Sequence, residues 1–215
     1  EQVFGFHAVR QVFANDISRV VEVWAQARRH DAKLEALLKA AQEQGLVVQR
    51  VPKMTLDKLT DSGHHQGILI RCQARPPSTQ TSLEDCLISL TVPPFLLVLD
   101  EVQDPHNLGA CLRTAEAAGV HAVIVPKHRA CTLTPTVRKI ASGAAETVPF
   151  IQVTNLATTL RGLQDQGVWL VGTDQTGHSS LFETHLTGSL ALVLGAEGSG
   201  LRRLTRELCD VLVSI

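Results

Sequence analysis

Two short polar segments of this sequence contain the residue types best suited to binding or chemistry. Residues 195–200 read Gly-Ala-Glu-Gly-Ser-Gly and follow an apolar run that ends at Leu194. Glycines at this density let a backbone approach a ligand closely or adopt positive φ. A phosphate loop fits poorly, because no Lys-Ser/Thr pair follows, the Gly-x-Gly-x-x-Gly spacing is absent, and Glu197 would repel phosphate. We therefore expect a turn that suits a hydroxyl-bearing or cationic ligand, with a ligand-free strand-to-helix turn as the alternative.

The second segment runs over residues 104–109, Asp-Pro-His-Asn-Leu-Gly, and is followed by Arg113. Asn107 and Arg113 are six residues apart, somewhat less than two helical turns, so their side chains would lie on different flanks of a helix. Asn107 could also serve only as a helix N-cap. Arg113 could equally form an ordinary ion pair with Glu116 or Glu197.

The elements that would position these segments alternate between strand and helix over the last part of the chain. The apolar patterns predict strands at residues 95–99, 122–125, 168–172, 190–194 and 211–215, and helices at 107–118, 134–142, 156–166 and 201–209. This alternation indicates an α/β domain with a mostly parallel sheet covered on both faces. Ligands bind beyond the carboxyl ends of such strands, which selects the loops at 100–106, 173–180 and 195–200.

A smaller α/β sandwich is predicted for the first part of the chain. Its helices are expected at residues 7–13, 32–44 and 54–59, and its strands at 19–24, 46–51 and 67–72. Residues 74–82 are rich in Pro, Ser and Thr and read as a linker between domains at 1–73 and 83–215. Residues 1–75 hold 11 Lys and Arg against 8 Asp and Glu, whereas the remainder holds 9 against 13. A basic first domain suggests a polyanionic partner, with ordinary solvated surfaces as the alternative.

The overall composition indicates a globular protein without a membrane span. Of the 215 residues 44% are hydrophobic, and 20 Lys and Arg nearly balance 21 Asp and Glu. No apolar run approaches the ~18 residues that a membrane helix needs, and no signal-peptide pattern begins the sequence. The five cysteines are scattered without a Cys-x-x-Cys pair, and the nine histidines lack ligand spacing, so we expect a cytoplasmic protein without a metal site.

Taken together, these motifs resemble the SpoU/TrmH family of S-adenosylmethionine-dependent RNA 2′-O-ribose methyltransferases. The resemblance rests on residues 104–110 with Arg113, residues 141–146 before Val148-Pro149, and residues 194–201. In the first domain, residues 4–9 and 65–68 are similar to the family's substrate-binding domain, which resembles ribosomal protein L30e. The match spans both domains and is greatest to members that methylate a guanosine of 23S rRNA.

The resemblance also implies an architecture. We expect a small L30e-like α/β substrate-binding domain followed by a mostly parallel α/β methyltransferase domain of the deep trefoil-knot type, paired into a homodimer through the methyltransferase domains. In the family the last strand continues into a Pro-containing loop and a Ser-Leu-Asn-Val-Ser helix that thread the knot. This sequence ends at Ile215. We therefore expect the methyltransferase domain to lack its final knot-threading segment.

For the reaction, the resemblance implies methyl transfer from S-adenosylmethionine to a ribose 2′-hydroxyl of 23S rRNA. It assigns the donor pocket to Thr173, Gly195, Ala196, Glu197, Gly198 and Ile215. The basic charge of the first domain, together with its L30e-like resemblance, points to Arg28, Arg29 and Lys33 as RNA contacts, and the motif at 65–68 adds His65 and Gln66. Family accounts treat an arginine at the position of Arg113 as the base, but a guanidinium with a pKa above ~12 rarely deprotonates. We expect Arg113 to bind phosphate and stabilise the alkoxide, Asn107 to orient the hydroxyl, and Glu197 to help position Arg113.

Three alternatives remain at this stage: a tRNA 2′-O-methyltransferase, a non-catalytic RNA-binding or ribosome-assembly factor, and a doubly wound nucleotide-binding enzyme. The missing phosphate fingerprint argues against the last. The chain has no Tyr, six Phe and two Trp, so a structured RNA hairpin is a better expected substrate than an extended, stacked single strand.

Overall fold

The computed structural model of the chain describes residues 1–29, 31–61, 63–73, 80–177 and 179–215, together with the side chains in these ranges other than those of residues 80 and 81. Most of the predicted linker at 74–82 therefore lies outside the described residues. The chain divides into two units. The first unit is Glu1–Pro76 with Leu133–Thr147, and the second is Pro77–Thr132 with Val148–Ile215. The domain boundaries expected from the sequence stay a prediction.

The first unit is a four-stranded mixed sheet with helices on both faces. Its elements are β1 (Gln2–Phe4), α1 (Phe6–Asp16), β2 (Val20–Gln26), α2 (Ala32–Glu43), β3 (Val48–Val51), α3 (Lys53–Leu59), β4 (Ile68–Cys72), α6 (Pro135–Ile140) and α7 (Ala144–Thr147). The strands lie in the order β1-β4-β2-β3, and only the β2–β3 pair is parallel.

Apolar spacing explains how the helices of the first unit pack. Leu34, Leu37, Leu38 and Ala41 share one face of α2 and join residues of α1 and the sheet in a single core. On the other face of the sheet, Leu56 of α3 packs against Phe4 and Leu69. The α/β sandwich expected from the sequence is present.

The second unit contains a larger sheet in which every described pairing is parallel. Its elements are α4 (Gln80–Ser89), β5 (Phe95–Leu99), α5 (Pro105–Ala117), β6 (Ala122–Pro126), β7 (Phe150–Val153), α8 (Leu156–Asp165), β8 (Trp169–Thr173), β9 (Ser179–Ser180), β10 (Leu190–Leu194), α9 (Arg203–Leu208) and β11 (Val211–Ser214). The strand order is β7-β6-β5-β10-β8-β11-β9. The mostly parallel sheet expected from the sequence is confirmed.

One core of the second unit forms where α4, α8 and α9 pack on a face of this sheet. It contains alternate residues of the central strands, such as Leu96, Val98, Ala191 and Val193. Alternation along a strand directs every second side chain to the same face, which accounts for the pattern. None of the described helices is long and apolar enough to cross a membrane.

Among the described residues, six elements have no counterpart in the sequence-based expectations. They are β1, β7, β9, α7, α4 and a 3₁₀-helix at Ile17–Arg19. The first four and the 3₁₀-helix span two to four residues, too few to display an apolar period. The fifth, α4, has its first three residues inside the segment that was predicted to be linker, so residues 80–82 are helical rather than irregular. The sequence did not indicate this helix start, because Gln, Thr and Ser precede the apolar Leu83 and continue the polar composition of the predicted linker.

Candidate functional site

The strand order creates a crevice at the carboxyl edge of the large sheet. From β5 the chain proceeds outward through β6 and β7, then crosses to β8 on the other side of β5, and β10 later fills the space between. Neighbouring strands at such a switch point send their loops apart, which leaves room for a ligand. The two loops concerned follow β5 at residue 100 and β10 at residue 195. Both were selected from the sequence.

A cavity of about 600 Å³ lies at this crevice, and we call it the Asn107 cavity. It is lined by Glu101, Val102, Gln103, Asp104, Asn107, Ala110, Cys111, Leu194, Gly195, Ala196, Glu197 and Ser199. The amide Nδ2 of Asn107 donates a hydrogen bond of 3.0 Å to Oε2 of Glu197. Two residues that the sequence marked as candidates therefore meet, although they lie 90 positions apart.

Asn107 lies inside helix α5 and is not its N-cap. Pro105 begins the helix, and the carboxylate of Asp104 accepts a hydrogen bond of 3.0 Å from the backbone N–H of His106. Proline suits the first helical position, where its missing N–H costs nothing. The alternative interpretation of Asn107 as an N-cap is therefore wrong. Its side chain is left available to the cavity.

A second cavity of about 670 Å³, the Thr173 cavity, lies on the other side of the same glycine-rich loop. It is lined by residues that follow β8, β10 and β11: Thr173, Asp174, Gln175, Thr176, Gly195, Ala196, Glu197, Gly198, Ser199, Gly200, Ser214 and Ile215. All six residues that the resemblance assigns to a methyl-donor pocket line this cavity. Gly195, Ala196, Glu197 and Ser199 line both cavities, so this loop separates them.

The glycine-rich loop closes on itself. Ala196 and Gly200 exchange two backbone hydrogen bonds of 3.0 and 2.9 Å, which leaves residues 197–199 as the tip. A Cβ atom at Gly195 would lie 2.1 Å from the carbonyl carbon of Gly200, a distance that no side chain tolerates. Gly198 adopts a φ of 90°, which favours glycine. The sequence of the loop is therefore dictated by close backbone approach.

Two ion pairs beside the cavities were not anticipated from the sequence. Asp100 is fully buried at the end of β5, and its carboxylate accepts hydrogen bonds from the backbone N–H and from Nε of Arg202, at 3.0 and 2.7 Å. Because Arg202 directly precedes α9, this contact joins the two sides of the crevice. Its partners lie 102 positions apart, and no local pattern predicts such a pair.

The second pair joins Asp174 to Arg206 at 3.3 Å. Hydrogen bonds from the hydroxyl and the backbone N–H of Thr176 lower the pKa of the Asp174 carboxyl, so it stays ionised at neutral pH. A second missed residue, Glu101, lines the Asn107 cavity with a φ of 64°. Asp174 and Glu101 each lie two residues after a predicted strand, within the loops at 173–180 and 100–106, and this position was the one available signal.

Arg113 lies on the exposed surface of α5 and is not among the residues that line the Asn107 cavity. Across the described ranges it makes no hydrogen bond or ion pair, and Glu197 is hydrogen-bonded to Asn107. The structure therefore does not bring Arg113 together with Glu197, as the resemblance suggested. The alternative in which Arg113 forms an ion pair with Glu116 or Glu197 is likewise not found.

The candidate RNA contacts of the first unit divide into two groups. Arg28 and Lys33 are exposed. Arg29 donates from Nη1 to the carbonyl of Gln66 at 2.7 Å, and the Gln66 side chain accepts from the backbone N–H of Phe6, also at 2.7 Å. These two residues therefore connect the loop before α2 to the start of α1.

His65 differs from the other candidates because it is only 4% exposed. Its Nδ1 accepts from the backbone N–H of Gly67 at 3.0 Å, and its Nε2 lies 2.9 Å from Asp57. Both ring nitrogens are thus engaged, and the contacts give His65 the role of shaping the loop that presents Gln66.

The third motif of the resemblance, at residues 141–146, ends in a buried carboxylate. Glu146 is 6% exposed and contacts Arg19 at 2.8 Å and Arg138. Glu1 also pairs with Arg19 and with Arg138, at 2.8 and 2.9 Å. Within the described ranges no group of three or more His, Cys, Asp or Glu residues is arranged to hold a metal ion.

Comparison with known proteins matches both units. A sequence profile of the SpoU rRNA Methylase family matches residues 94–215, and a profile described as RNA 2′-O ribose methyltransferase substrate binding matches residues 2–78. The 23S rRNA (guanosine-2′-O-)-methyltransferase RlmB of Escherichia coli K12 is 49% identical over 215 residues, covering all of this chain and 88% of its own. The RlmB of Pasteurella multocida is 51% identical over 216 residues, with the same coverage.

Solved structures agree on the fold. The SpoU methyltransferase AviRb from Streptomyces viridochromogenes, in complex with AdoMet, superposes with a TM-score of 0.78 at 22% identity, covering all of this chain and 80% of its own. A TrmH-family RNA methyltransferase from Porphyromonas gingivalis gives 0.73 at 25% identity, with coverages of 100% and 79%.

Proposed function

Because the chain belongs to the SpoU rRNA methylase family, we infer that it transfers a methyl group from S-adenosylmethionine to the ribose 2′-hydroxyl of a guanosine in 23S rRNA. One structural observation carries this assignment within the chain itself. The Asn107–Glu197 hydrogen bond lies at the loop that separates two cavities, so a methyl donor on one side and a hydroxyl on the other would meet there.

The Thr173 cavity fits the donor in size and charge. Its volume of about 670 Å³ is within the range of small-molecule sites, and its glycines expose backbone groups to the ligand. Asp174 and Glu197 supply negative charge, which suits a sulfonium cation with ribose hydroxyls. When bound, S-adenosylmethionine supplies an electrophilic methyl group. We propose Thr173, Gly195, Ala196, Glu197, Gly198 and Ile215 as the residues that hold it.

The Asn107 cavity would receive the acceptor ribose. Because Nδ2 of Asn107 already donates to Glu197, the amide is oriented and its Oδ1 stays available as an acceptor. An acceptor is what a 2′-hydroxyl needs in order to hold its proton away from the incoming methyl group. We therefore propose that Asn107 orients the hydroxyl and that Glu197 orients Asn107.

Among the described residues the guanidinium of Arg113 has no partner, and Arg113 is not in the lining of the Asn107 cavity. A group in that position suits the phosphate of the bound nucleotide better than the hydroxyl itself, since a guanidinium forks onto phosphate oxygens. We propose that Arg113 holds this phosphate and thereby aligns the ribose, with alkoxide stabilisation as the additional role that the resemblance suggests.

The first unit is proposed to contribute much of the RNA affinity, through Arg28, Arg29, Lys33 and Gln66, with His65 supporting the last. Phosphate contacts by Lys and Arg supply most of the non-specific affinity for nucleic acids.

We further propose that the protein is cytoplasmic and that two copies pair through their methyltransferase domains. Light scattering would give twice the mass of one chain if that pairing holds, and the knot stays a prediction.

The assignment is tested by incubating the protein with labelled S-adenosylmethionine and 23S rRNA transcribed in vitro. Label should appear at one guanosine and survive as an alkali-resistant dinucleotide, since a 2′-O-methyl group blocks hydrolysis of the next phosphodiester bond. Transcribed tRNA serves as the comparison substrate. Label on a base, or equal labelling of tRNA, would contradict the proposal.

A further inference from the structure

A groove of about 460 Å³ separates helices α1 and α2 on the first unit. Phe6, His7 and Arg10 of α1 face Lys33, Ala36 and Leu37 of α2 across it. Of the candidate RNA contacts named above, the groove contains only Lys33, while Phe6 and His7 belong to the motif at residues 4–9. The groove combines a charged rim with an apolar floor.

The rim is positively charged because its neighbouring acids are already paired. Asp31 interacts with Arg29, which lowers the pKa of the Asp31 carboxyl, and Glu35 accepts two hydrogen bonds from Nη2 of Arg50. Arg10 and Lys33 are exposed and, among the residues described, form no hydrogen bond or ion pair. Two cations that have no carboxylate partner in the described part of the chain thus face one groove, which attracts an anion.

The floor of the groove is suited to a flat, uncharged group. Phe6 is half-buried, and its ring meets His7 edge-on with 6.0 Å between the ring centroids. Leu37 is 7% exposed, and Ala36 is exposed without a long side chain that would fill the groove. A nucleobase can pack on such a surface, since every base offers a π-face to an aromatic ring.

We propose that this groove binds one unpaired nucleotide of the RNA substrate, with the base against Phe6 and Leu37 and the flanking phosphates on Arg10 and Lys33. Phe6 and His7 are the only rings among the groove residues described, which limits the site to a single base. The inference rests on the proposed function for the identity of the RNA. Two cations on an apolar floor favour RNA over an acidic protein segment, because a nucleotide offers both a flat base and charged phosphates.

The charge of the rim is tested with Arg10→Gln/Lys33→Gln in the full chain. Its dissociation constant for transcribed 23S rRNA should rise about 10-fold. The salt dependence should flatten by about 1.4 in slope, from two lost phosphate contacts at ~0.7 each for a single strand. The control, Lys53→Gln/Lys58→Gln on α3, removes the same charge from exposed residues that lie outside the groove. The dissociation constant of this control for 23S rRNA should stay within about twofold of the wild-type value.

The floor is tested with Ala36→Trp, which fills the groove without changing charge, against Gln42→Trp, which adds the same ring to an exposed position of the same helix. Ala36→Trp should weaken binding of a hairpin with one bulged nucleotide at least about fivefold more than binding of the same hairpin with the bulge removed. Gln42→Trp should affect both hairpins equally. Thermal melting and S-adenosylmethionine affinity, measured alongside, should match wild type.

Several outcomes would overturn the groove assignment. The first is unchanged RNA affinity in Arg10→Gln/Lys33→Gln, which would point to an acidic protein segment as the occupant. A second is equal loss in both double variants, and a third is loss of affinity for both hairpins alike in Ala36→Trp. Methylation of 23S rRNA by the wild-type protein is measured in parallel. If it occurs while one of these outcomes is found, the groove assignment fails and the proposed function does not.

Discussion

At the scale of single residues, the site depends on one hydrogen bond between the side chain of Asn107, in the first turn of α5, and that of Glu197, in the glycine-rich loop. Asn107 and Glu197 are both accessible from the Asn107 cavity, and their 3.0 Å contact holds the amide in one of its two orientations. An amide that has lost this partner can rotate and present its NH₂ group to the substrate hydroxyl. The proposed role of Asn107 therefore requires Glu197.

A double-mutant cycle of Asn107→Ala and Glu197→Ala, which removes the acceptor at residue 197, measures this dependence. Each single variant should lose about 10²-fold in turnover, or ~2.7 kcal/mol, and the double variant should lose little more than either, because the two residues act as a unit. Single-turnover methyl transfer to transcribed 23S rRNA is the measurement. Additive losses would mean that the two side chains act independently.

Arg113 is proposed to act in the reaction although it lies on the exposed surface of α5, outside the lining of the Asn107 cavity. Arg113→Lys retains the charge but loses the fork that grips a phosphate, so it should fail nearly as badly as Arg113→Ala. Both should lose ~10²-fold or more in turnover. Thermal stability should not change, since Arg113 is exposed and unpaired among the described residues. Near wild-type rates for Arg113→Ala would remove it from the reaction.

At the scale of elements, the short helices α6 and α7 are held by buried charge. Glu146 of α7 faces Arg138 of α6 and Arg19, and each of these side chains is under a tenth exposed. Charges taken out of water need their partners, because the desolvation cost remains when one partner is removed. This element therefore depends on Glu146 for its stability.

Glu146→Gln should lower the free energy of unfolding by about 3 kcal/mol, since it leaves two buried guanidinium groups with one fewer carboxylate. The control is Glu207→Gln, which breaks the exposed Arg203–Glu207 pair and should change stability by under ~0.5 kcal/mol. Urea unfolding measures both. A Glu146→Gln protein of normal stability but no activity would instead place this motif in the reaction.

At the scale of the whole molecule, the absence of tyrosine simplifies the response to alkaline pH. The chain has no Tyr, so cysteine and lysine are the groups that titrate between pH 8 and 11. Burial raises the pKa of Cys72 to about 11. Burial, with help from Asp210 and Asp100, raises that of Cys209 to about 12. Unfolded thiols titrate near 9, so both thiols stabilise the folded state in their protonated form.

Folding stability should therefore be complete below about pH 9 and decline as the pH rises from there toward 11–12, because the unfolded chain loses these protons first. Cys209→Ser keeps a hydroxyl where Sγ contacts the carbonyl of Thr205 at 3.3 Å, but removes the titration. The free energy of unfolding of Cys209→Ser should therefore fall less steeply with pH than that of the wild type. The two slopes should differ by up to about 1 kcal/mol per pH unit. Urea unfolding between pH 7 and 10.5 gives the slopes, and parallel slopes would contradict this account.

The sequence alone predicted those elements whose cause is local. Strands β5 and β10 are continuous apolar runs, and α2 and α8 show helical spacing up to Gly45 and Gly167, so their positions agree with the structure to within a residue or two. The start of α5 was misjudged by two residues, because Asp104 competes with Asn107 as a cap. Five described elements of two to four residues, namely β1, β7, β9, α7 and the 3₁₀-helix, have no counterpart in the predictions, since no period fits in so short a span.

For the site, the sequence by itself determined the chemistry-bearing residue types, the glycine-rich turn at 195–200, and the three loops at the carboxyl edge of a parallel sheet. These follow from local spacing and from a general property of such sheets. The tertiary structure alone decided which of them meet. It pairs Asn107 with Glu197, leaves Arg113 outside the cavity, buries Asp100 against Arg202, and encloses His65. The Asn107–Glu197 and Asp100–Arg202 contacts join segments 90 and 102 positions apart. All four outcomes are set by strand order and side-chain packing, which leave no periodic trace in the sequence.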